Sequence, residues 1–350
     1  MTPTLALAGN PNTGKTSLFN ELTGAHQHVG NWPGKTVERH TGRFEEDGHT
    51  FSVVDLPGIY GLLPVSAEEA IAVDVLVDRP DVVVTVVDAA NLGRSLHLVA
   101  QVAELGVRQV VACNMSDIAE RRGVVIDHDR LGAAFGVEVV PTVARRGEGV
   151  ERVRAAAARA LARPADRPLV IDYGPVVERY LAGSIEAIVA SAEVAALAPA
   201  HWLAVQLVAG DEMLAGRVAA CDGGATVLEE VERAREGIAG DTGLDAALAV
   251  TERRFEWVHR VVEQCGAGTG RGSIWSQRLD RVLTHRWLGL PAFLAVMWLV
   301  LKITTDVTAP FLDWVDALVS GPIGRWAASG LGAIGLGGGW VEGLVVDGVL

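Results

Sequence analysis

Gly9-Asn10-Pro11-Asn12-Thr13-Gly14-Lys15-Thr16 lies between a short apolar stretch, residues 5–8, and a segment carrying Leu18, Phe19 and Leu22 at helical spacing. A glycine-rich loop in that strand-to-helix setting turns successive backbone N–H groups toward a phosphate chain, and a side chain at either glycine crowds the approach. Lys15 is placed to reach the β and γ phosphates of a nucleotide and the Thr16 hydroxyl to bind Mg²⁺, with Ser17 next along the helix.

Three further segments follow in the order that a guanine-nucleotide switch requires. Asp55-Leu56-Pro57-Gly58 ends an apolar strand; its carboxylate would hold Mg²⁺ through a water and the Gly58 N–H would sense a γ-phosphate. Asn114-Met115-Ser116-Asp117 follows another strand, with Asn114 bracing the loop and the base. Asp117 can accept from both N1–H and the 2-amino group of guanine, a pairing adenine does not supply, and the wrong base leaves buried groups unpaired. Thr36, with Gly34 and Lys35 before it in the loop 29–36, can close on Mg²⁺ and the γ-phosphate through its hydroxyl and backbone.

The elements that must hold these loops read as strand and helix in alternation. Strands are expected at residues 5–8, 41–45, 50–54, 82–88, 109–113 and 137–140, and helices at 67–77, 94–105 and 150–162. The β-branched run at 82–87 suits a strand buried on both faces of a mainly parallel sheet. The fold expected over residues 1–165 is therefore an α/β P-loop domain, doubly wound. Ser66 precedes Ala67-Glu68-Glu69 as a helix cap with Glu69 reaching back, and this capping role is preferred to a catalytic one for those acids.

The 350 residues suffice for more than one domain. A formal net charge of -13 argues against a nucleic-acid surface, which needs a basic patch. Cys113, Cys221 and Cys265 are too few and scattered for a disulfide scaffold, which points to reduced thiols in the cytosol. After a proline-punctuated linker at 163–168 the strand signal fades from Tyr173 to about Gly266, and residues 166–272 read as a small all-α domain. In it Phe255, Val258, Val262 and Cys265 form one apolar face, Arg254 and Glu256 lie outside it, and His259 is solvated or packed. Mean hydropathy is +0.28, and part of that surplus lies in residues 287–305, interrupted only by Lys302. With Arg278, Arg281 and Arg286 before it, Trp287, Trp298 and Trp314 along or beside it, and Lys302 able to snorkel at one end, this segment is expected to be a transmembrane helix. Residues 1 to about 286 are then cytoplasmic.

These motifs resemble those of the ferrous iron transport protein B (FeoB) family. The likeness rests on the phosphate loop, on Val29-Gly30-Asn31-Trp32-Pro33-Gly34-Lys35-Thr36-Val37-Glu38 and on Asp55-Leu56-Pro57-Gly58-Ile59-Tyr60-Gly61-Leu62. It continues in Ser66-Ala67-Glu68-Glu69, Val87-Asp88-Ala89-Ala90-Asn91-Leu92, Asn114-Met115-Ser116-Asp117 and Arg286-Trp287-Leu288-Gly289-Leu290-Pro291. The resemblance implies a GTPase of the inner membrane whose nucleotide state gates or drives Fe²⁺ uptake, with a helical coupling domain. It also implies a possible small cytosolic partner protein and a possible homo-oligomer. Since the family's membrane part is much longer than residues 273–350, the chain is expected to be the N-terminal portion of a transporter. The nucleotide-contacting set is then Gly9 to Ser17, Gly34, Lys35, Thr36, Asp55, Leu56, Pro57, Gly58, Asn114, Met115, Asp117, Val143 and Ala144.

Within that set the resemblance implies catalytic roles for Lys15, Thr36, Gly58 and Asn12, and Mg²⁺ at Thr16, Thr36 and Asp55. FeoB resembles GTPases in which the equivalent of Asn12 helps hold K⁺ with backbone carbonyls of the first switch, here around Gly30 and Trp32. Ile59 stands where many small GTPases carry a water-orienting glutamine, so slow intrinsic hydrolysis with K⁺ stimulation is expected. Val143 and Ala144 form the guanine-supporting loop, where many relatives have Ser-Ala; the Ala144 N–H is expected to face guanine O6. Two other readings stay open on the sequence: a soluble K⁺-dependent GTPase of tRNA modification or ribosome assembly, and a membrane-tethered regulatory GTPase that transports nothing.

Overall fold

The computed structural model describes residues 2–24, 27–32, 37–164, 167–266, 289–333 and 339. The chain divides into two compact units, residues 1–272 and 273–350. In the first, seven strands form one sheet in the order β2-β3-β4-β1-β5-β6-β7. They are β1 (Thr4–Gly9), β2 (Gln27–Asn31), β3 (Glu38–Glu46), β4 (His49–Asp55), β5 (Val82–Asp88), β6 (Gln109–Asn114) and β7 (Glu138–Pro141). β2, β3 and β4 pair antiparallel, and every other pair is parallel.

Period-two alternation sorts the side chains of the central strands onto two faces. Leu5 and Leu7 of β1 and Val82, Val84 and Val86 of β5 join one apolar cluster, where α1 (Lys15–Thr23) and α6 (Val150–Ala162) cover the sheet. Ala6, Ala8, Val83 and Val87 join the other, with α2 (Ala67–Val77), α3 (Leu92–Glu104) and α5 (His128–Phe135). α4 (Ser116–Arg121) is a short helix after β6. The loops at the carboxyl ends of β1, β4 and β6 thus emerge at the same edge of the sheet, as in other open α/β sheets. α2 begins as expected: Ser66 Oγ accepts from Glu69 N at 3.1 Å, and Glu69 Oε2 accepts from Val65 N at 2.8 Å.

One strand is missing from the sequence reading, which takes residues 29–36 as loop. Val29, Gly30 and Asn31 belong to β2, laddered against His40, Arg39 and Glu38 of β3. β2 is an exposed edge strand without an apolar alternation, held by backbone pairing instead of burial, so periodicity does not reveal it.

The helical region comprises α7 (Pro175–Ala190), α8 (Ala192–Leu197), α9 (Ala200–Val208), α10 (Glu212–Ala219), α11 (Gly224–Thr242) and α12 (Ala246–Gln264). Its core is continuous with the α2 and α3 side of the sheet. The inner face of α12 differs from the expected one. Val258 and Cys265 are buried and Val262 is partly buried as anticipated, but Val261 and Arg254 also face inward, while Phe255 is 54% exposed and tilts against the His97 ring with centroids 3.7 Å apart. His259 is exposed and pairs with Glu263 at 3.4 Å.

The reason for the rotated face is a buried partner. Arg254 Nε and Nη2 donate to Tyr173 Oη at 3.1 and 2.8 Å, Tyr173 donates to Glu104 Oε1 at 2.7 Å, and Arg254 lies 3.4 Å from Glu104 Oε2. Burial pushes the Glu104 carboxyl up, against the opposing pull of the Arg254 guanidinium. Burial and the same cation hold His97 down at about 4. This triad joins α3 of the nucleotide-type domain to α12 of the helical region.

In the second unit, α13 (Gly289–Leu318) is followed by a π-helical turn (Val319–Ile323) and α14 (Gly324–Ala333). Among the described residues one helix is long and apolar enough to cross a membrane, Gly289–Val315, with mean hydropathy 1.6 and none of its window buried. It runs past the expected end at 305, and 27 residues extend about 40 Å. Lys302, expected at the end of the span, is inside the helix and pairs with Asp306 at 3.0 Å, which neutralises it. Arg278, Arg281, Arg286 and Trp287 lie outside the described residues.

Arg254→Ala in fragment 1–272 should cost about 3–5 kcal/mol in urea unfolding, because it leaves Glu104 buried without its cation. The double change Glu104→Leu with Arg254→Met should cost much less; equal losses would mean the triad contributes through packing volume alone.

Candidate nucleotide site

β1 delivers the phosphate loop at its carboxyl end. A Cβ on Gly9 would lie 2.7 Å from Val86 O of the neighbouring strand, so only glycine fits. Asn12 and Gly14 take left-handed backbone, φ 66° and 83°, which turns the loop inward before α1 starts at Lys15. Thr13 Oγ1 ties the turn by donating to Asn10 O at 2.8 Å, and Asn10 Nδ2 donates to Arg94 O at 3.4 Å. No acidic residue occupies the first turn of α1, leaving its N-terminal N–H groups open to an anion.

Lys15 Nζ and Thr16 Oγ1 converge on Asp55 at the end of β4: Lys15 pairs with Oδ1, and Thr16 lies 3.5 Å from Oδ2. Lys15 and Asp55 are both nearly buried, so the cation expected at phosphates and the carboxylate expected at a metal neutralise one another. The donor set suits Mg²⁺: a hydroxyl and a carboxylate are hard oxygen ligands, and phosphate oxygens supply the rest.

After Asp55 the chain is pinned at several points. Leu56 N donates to Leu7 O and Ile59 N to Gly9 O, each at 3.1 Å. Gly58 packs on the phosphate loop, where an added Cβ would sit 3.1 Å from Pro11 Cγ. The Ile59 side chain is fully buried in the core, Leu62 N donates to Gln101 Oε1 of α3, and the Arg94 guanidinium lies 4.7 Å from the centroid of the Tyr60 ring. A cavity of about 550 Å³ opens between Asn10–Thr13, Tyr60 and the start of α3. On the other side, Gly30 is in the β2 ladder, Trp32 N donates to Val37 O at 2.9 Å, and Arg39 covers the Trp32 ring at 4.9 Å. Gly34, Lys35 and Thr36 lie outside the described residues.

The base-side loops are joined through Asn114. Its Nδ2 donates to Thr13 O at 2.8 Å, and its Oδ1 accepts from Ala144 N at 2.9 Å and Thr142 Oγ1 at 3.4 Å. The Ala144 N–H, expected to face a base, is thus committed to Asn114, because the turn Ala144–Arg146 and the Val143–Glu148 bridge fold the loop onto it. Val143 is itself buried, and Met115 holds left-handed backbone, φ 60°, before α4.

Asp117 sits in the first turn of α4 with its side chain 12% exposed. Partial desolvation raises its carboxyl, but Arg145, Arg121 and Arg146 outweigh this and hold it below the usual carboxylate range. Sequence reasoning missed these three arginines; the placement of Arg145 and Arg146 directly after Ala144 is the signal that was available.

Together the sheet order and these ordered loops define an α/β P-loop domain of the GTPase type with a helical companion. The family model described as Ferrous iron transport protein B matches residues 3–157, and that of the FeoB cytosolic helical domain matches residues 173–266. A Porphyromonas gingivalis protein named Fe(2+) transport protein A/Fe(2+) transporter FeoB fusion protein is 33% identical over 99% of this chain and 41% of its own length. The Escherichia coli Fe(2+) transporter FeoB is 35% identical over 87% of this chain and 39% of its own. A crystal structure of a mutant S. thermophilus NFeoB bound to mGDP superposes with TM-score 0.68 at 34% identity, covering 76% of this chain and 100% of the other. The T. maritima FeoB cytosolic domain in a GMPPNP form gives TM-score 0.65 at 32% identity, covering 76% and 99%. The chain belongs to the FeoB family, and it spans about two fifths of the length of these curated relatives.

Asn114→Ala should lower stability by about 1–3 kcal/mol, since Thr13 O and Ala144 N lose a buried partner together. Thermal unfolding of the chain measures it, and an unchanged midpoint would show that the loops are held independently.

Proposed function

We propose that this chain is the GTP-binding and GTP-hydrolysing part of a ferrous iron uptake transporter of the inner membrane, with nucleotide state gating or driving transport. The observation that carries the reading is Asn114, which joins the phosphate loop to the guanine-supporting loop beside Asp117. The relatives named as Fe(2+) transporters and the GMPPNP form of a solved homologue support it.

In this reading the phosphates lie on Gly9 to Ser17. Lys15 exchanges Asp55 for the β and γ phosphates, and Gly34, Lys35 and Thr36 close from the first switch. Thr16, Thr36 and Asp55 hold Mg²⁺, which when bound supplies positive charge against phosphate oxygens. Leu56 and Pro57 carry the chain from Asp55 to Gly58, whose N–H reports the γ-phosphate. Met115, Val143 and Ala144 shape the base pocket, and Asp117 reads the guanine edge. Asn12, with carbonyls around Gly30 and Trp32, holds K⁺. Ile59 is buried, so its side chain does not orient water; slow intrinsic turnover follows.

Residues 1–165 form the GTP-binding domain, 166–272 the helical coupling domain and 273–350 the membrane entry. The basic residues Arg278, Arg281 and Arg286 before the apolar helix and the exposed surface of that helix support a cytoplasmic position for residues 1 to about 286. The fusion carried by the P. gingivalis relative supports a small partner protein, and a homo-oligomer would supply further spans around an ion path.

Titration of the chain with GTP, GDP and ATP should give preference for guanine, and Asp117→Ala should weaken GDP binding roughly 100-fold or more. Equal affinity for ATP would refute the nucleotide reading. Single-turnover hydrolysis should be faster in K⁺ than in equal Na⁺, and Asn12→Ala should lose most of that difference while still binding nucleotide. Identical rates in the two salts would leave Asn12 with a purely structural role.

A further inference from the structure

Three guanidinium groups converge on one oxygen of the base-reading carboxylate. Asp117 Oδ2 lies 2.9 Å from Arg145 Nη2, 3.4 Å from Arg121 Nη1 and 3.8 Å from Arg146 Nη2. Among the described residues no hydrogen bond engages Oδ1, and Oδ2 is the nearer oxygen to all three guanidinium groups. Arg145 makes the shortest contact and comes from the turn that folds onto Asn114, whereas Arg121 is on α4 itself, one turn beyond Asp117. The arginine side chains are half-exposed, so each can swing away without unfolding anything.

A guanine edge brings two parallel donors, N1–H and the 2-amino group, and needs both oxygens of Asp117. We infer that Arg145 is a built-in competitor for the guanine 2-amino group: it pairs with Asp117 Oδ2, must leave when guanine binds, and returns to help expel the nucleotide. The inference rests on the guanine reading of this cleft and sharpens it. Hypoxanthine, which keeps N1–H and lacks the 2-amino group, needs one oxygen only and can use Oδ1 while Arg145 stays. Arg145 therefore opposes guanine more than hypoxanthine and narrows the difference between them. It is a positioning residue acting through Asp117, and it speeds release of a guanine nucleotide relative to a site without it.

The test compares the 350-residue chain in detergent with its Arg145→Ala, Arg145→Lys and Arg121→Ala forms, measuring affinities and dissociation rates for GDP and IDP. An exposed arginine–carboxylate pair is worth little, so Arg145→Ala should tighten GDP about two- to fivefold, through slower dissociation, and leave IDP nearly unchanged. The GDP-to-IDP affinity ratio should rise by the same factor, Arg145→Lys should fall between wild type and Arg145→Ala, and Arg121→Ala should change the ratio less. Arg145→Ala binding GDP as wild type does or more weakly, or shifting GDP and IDP together, would overturn the competitor role while leaving the guanine reading intact. Absence of GDP binding by the wild-type chain would overturn both.

Discussion

One buried amide holds the nucleotide-type half of this molecule in register. Asn114 donates to the phosphate loop at Thr13 and accepts from the loop after β7 at Ala144, so three loops from three strand ends share a single side chain. The neighbouring backbone is shaped around it: a Cβ on Gly14 would collide with Asn114 Nδ2, and Gly14 has the positive φ that glycine alone adopts cheaply. A satisfied polar group in a dry interior specifies geometry because every alternative arrangement strands a donor or an acceptor. The relative placement of the loops after β1, β6 and β7 follows from that constraint more than from any one loop's own sequence.

The charges of the candidate site are paired with one another. Lys15 neutralises Asp55, and Asp117 faces Arg145, Arg121 and Arg146. The first pairing spares the protein an isolated buried ion, and in the proposed function both are exchanged for contacts to phosphates and a base. Ligand affinity in such a cleft is a difference between two sets of ion pairs, so residues that never touch the ligand set part of its value.

The central sheet was readable because 82–87 is continuously β-branched and Leu5 and Leu7 alternate with Ala6 and Ala8, patterns that burial on two faces imposes. The phosphate loop, Asp55 and the Asn114 segment were readable because their chemistry is local in sequence. β2 was not, since its stability comes from pairing with β3 and leaves no apolar trace. The inner face of α12 was misjudged for a related reason: a charged residue is assigned outward by periodicity unless its partner is known, and Arg254's partners are 81 and 150 positions away, at Tyr173 and Glu104. The Ala144 N–H was directed at a base for lack of any sign that Asn114 would claim it.

The Glu104–Tyr173–Arg254 triad has a mechanical meaning. α3 begins beside the phosphate loop, where Arg94 O accepts from Asn10, and ends at Glu104 against α12. A seam of aliphatic side chains can slide, because dispersion contacts re-form at a new offset; a dry ionic triad cannot, because any slip leaves a full charge without a counterpart. α3 is therefore keyed rather than merely packed: one end is tied to the phosphate loop through Asn10, and the other is locked against α12 at a single offset.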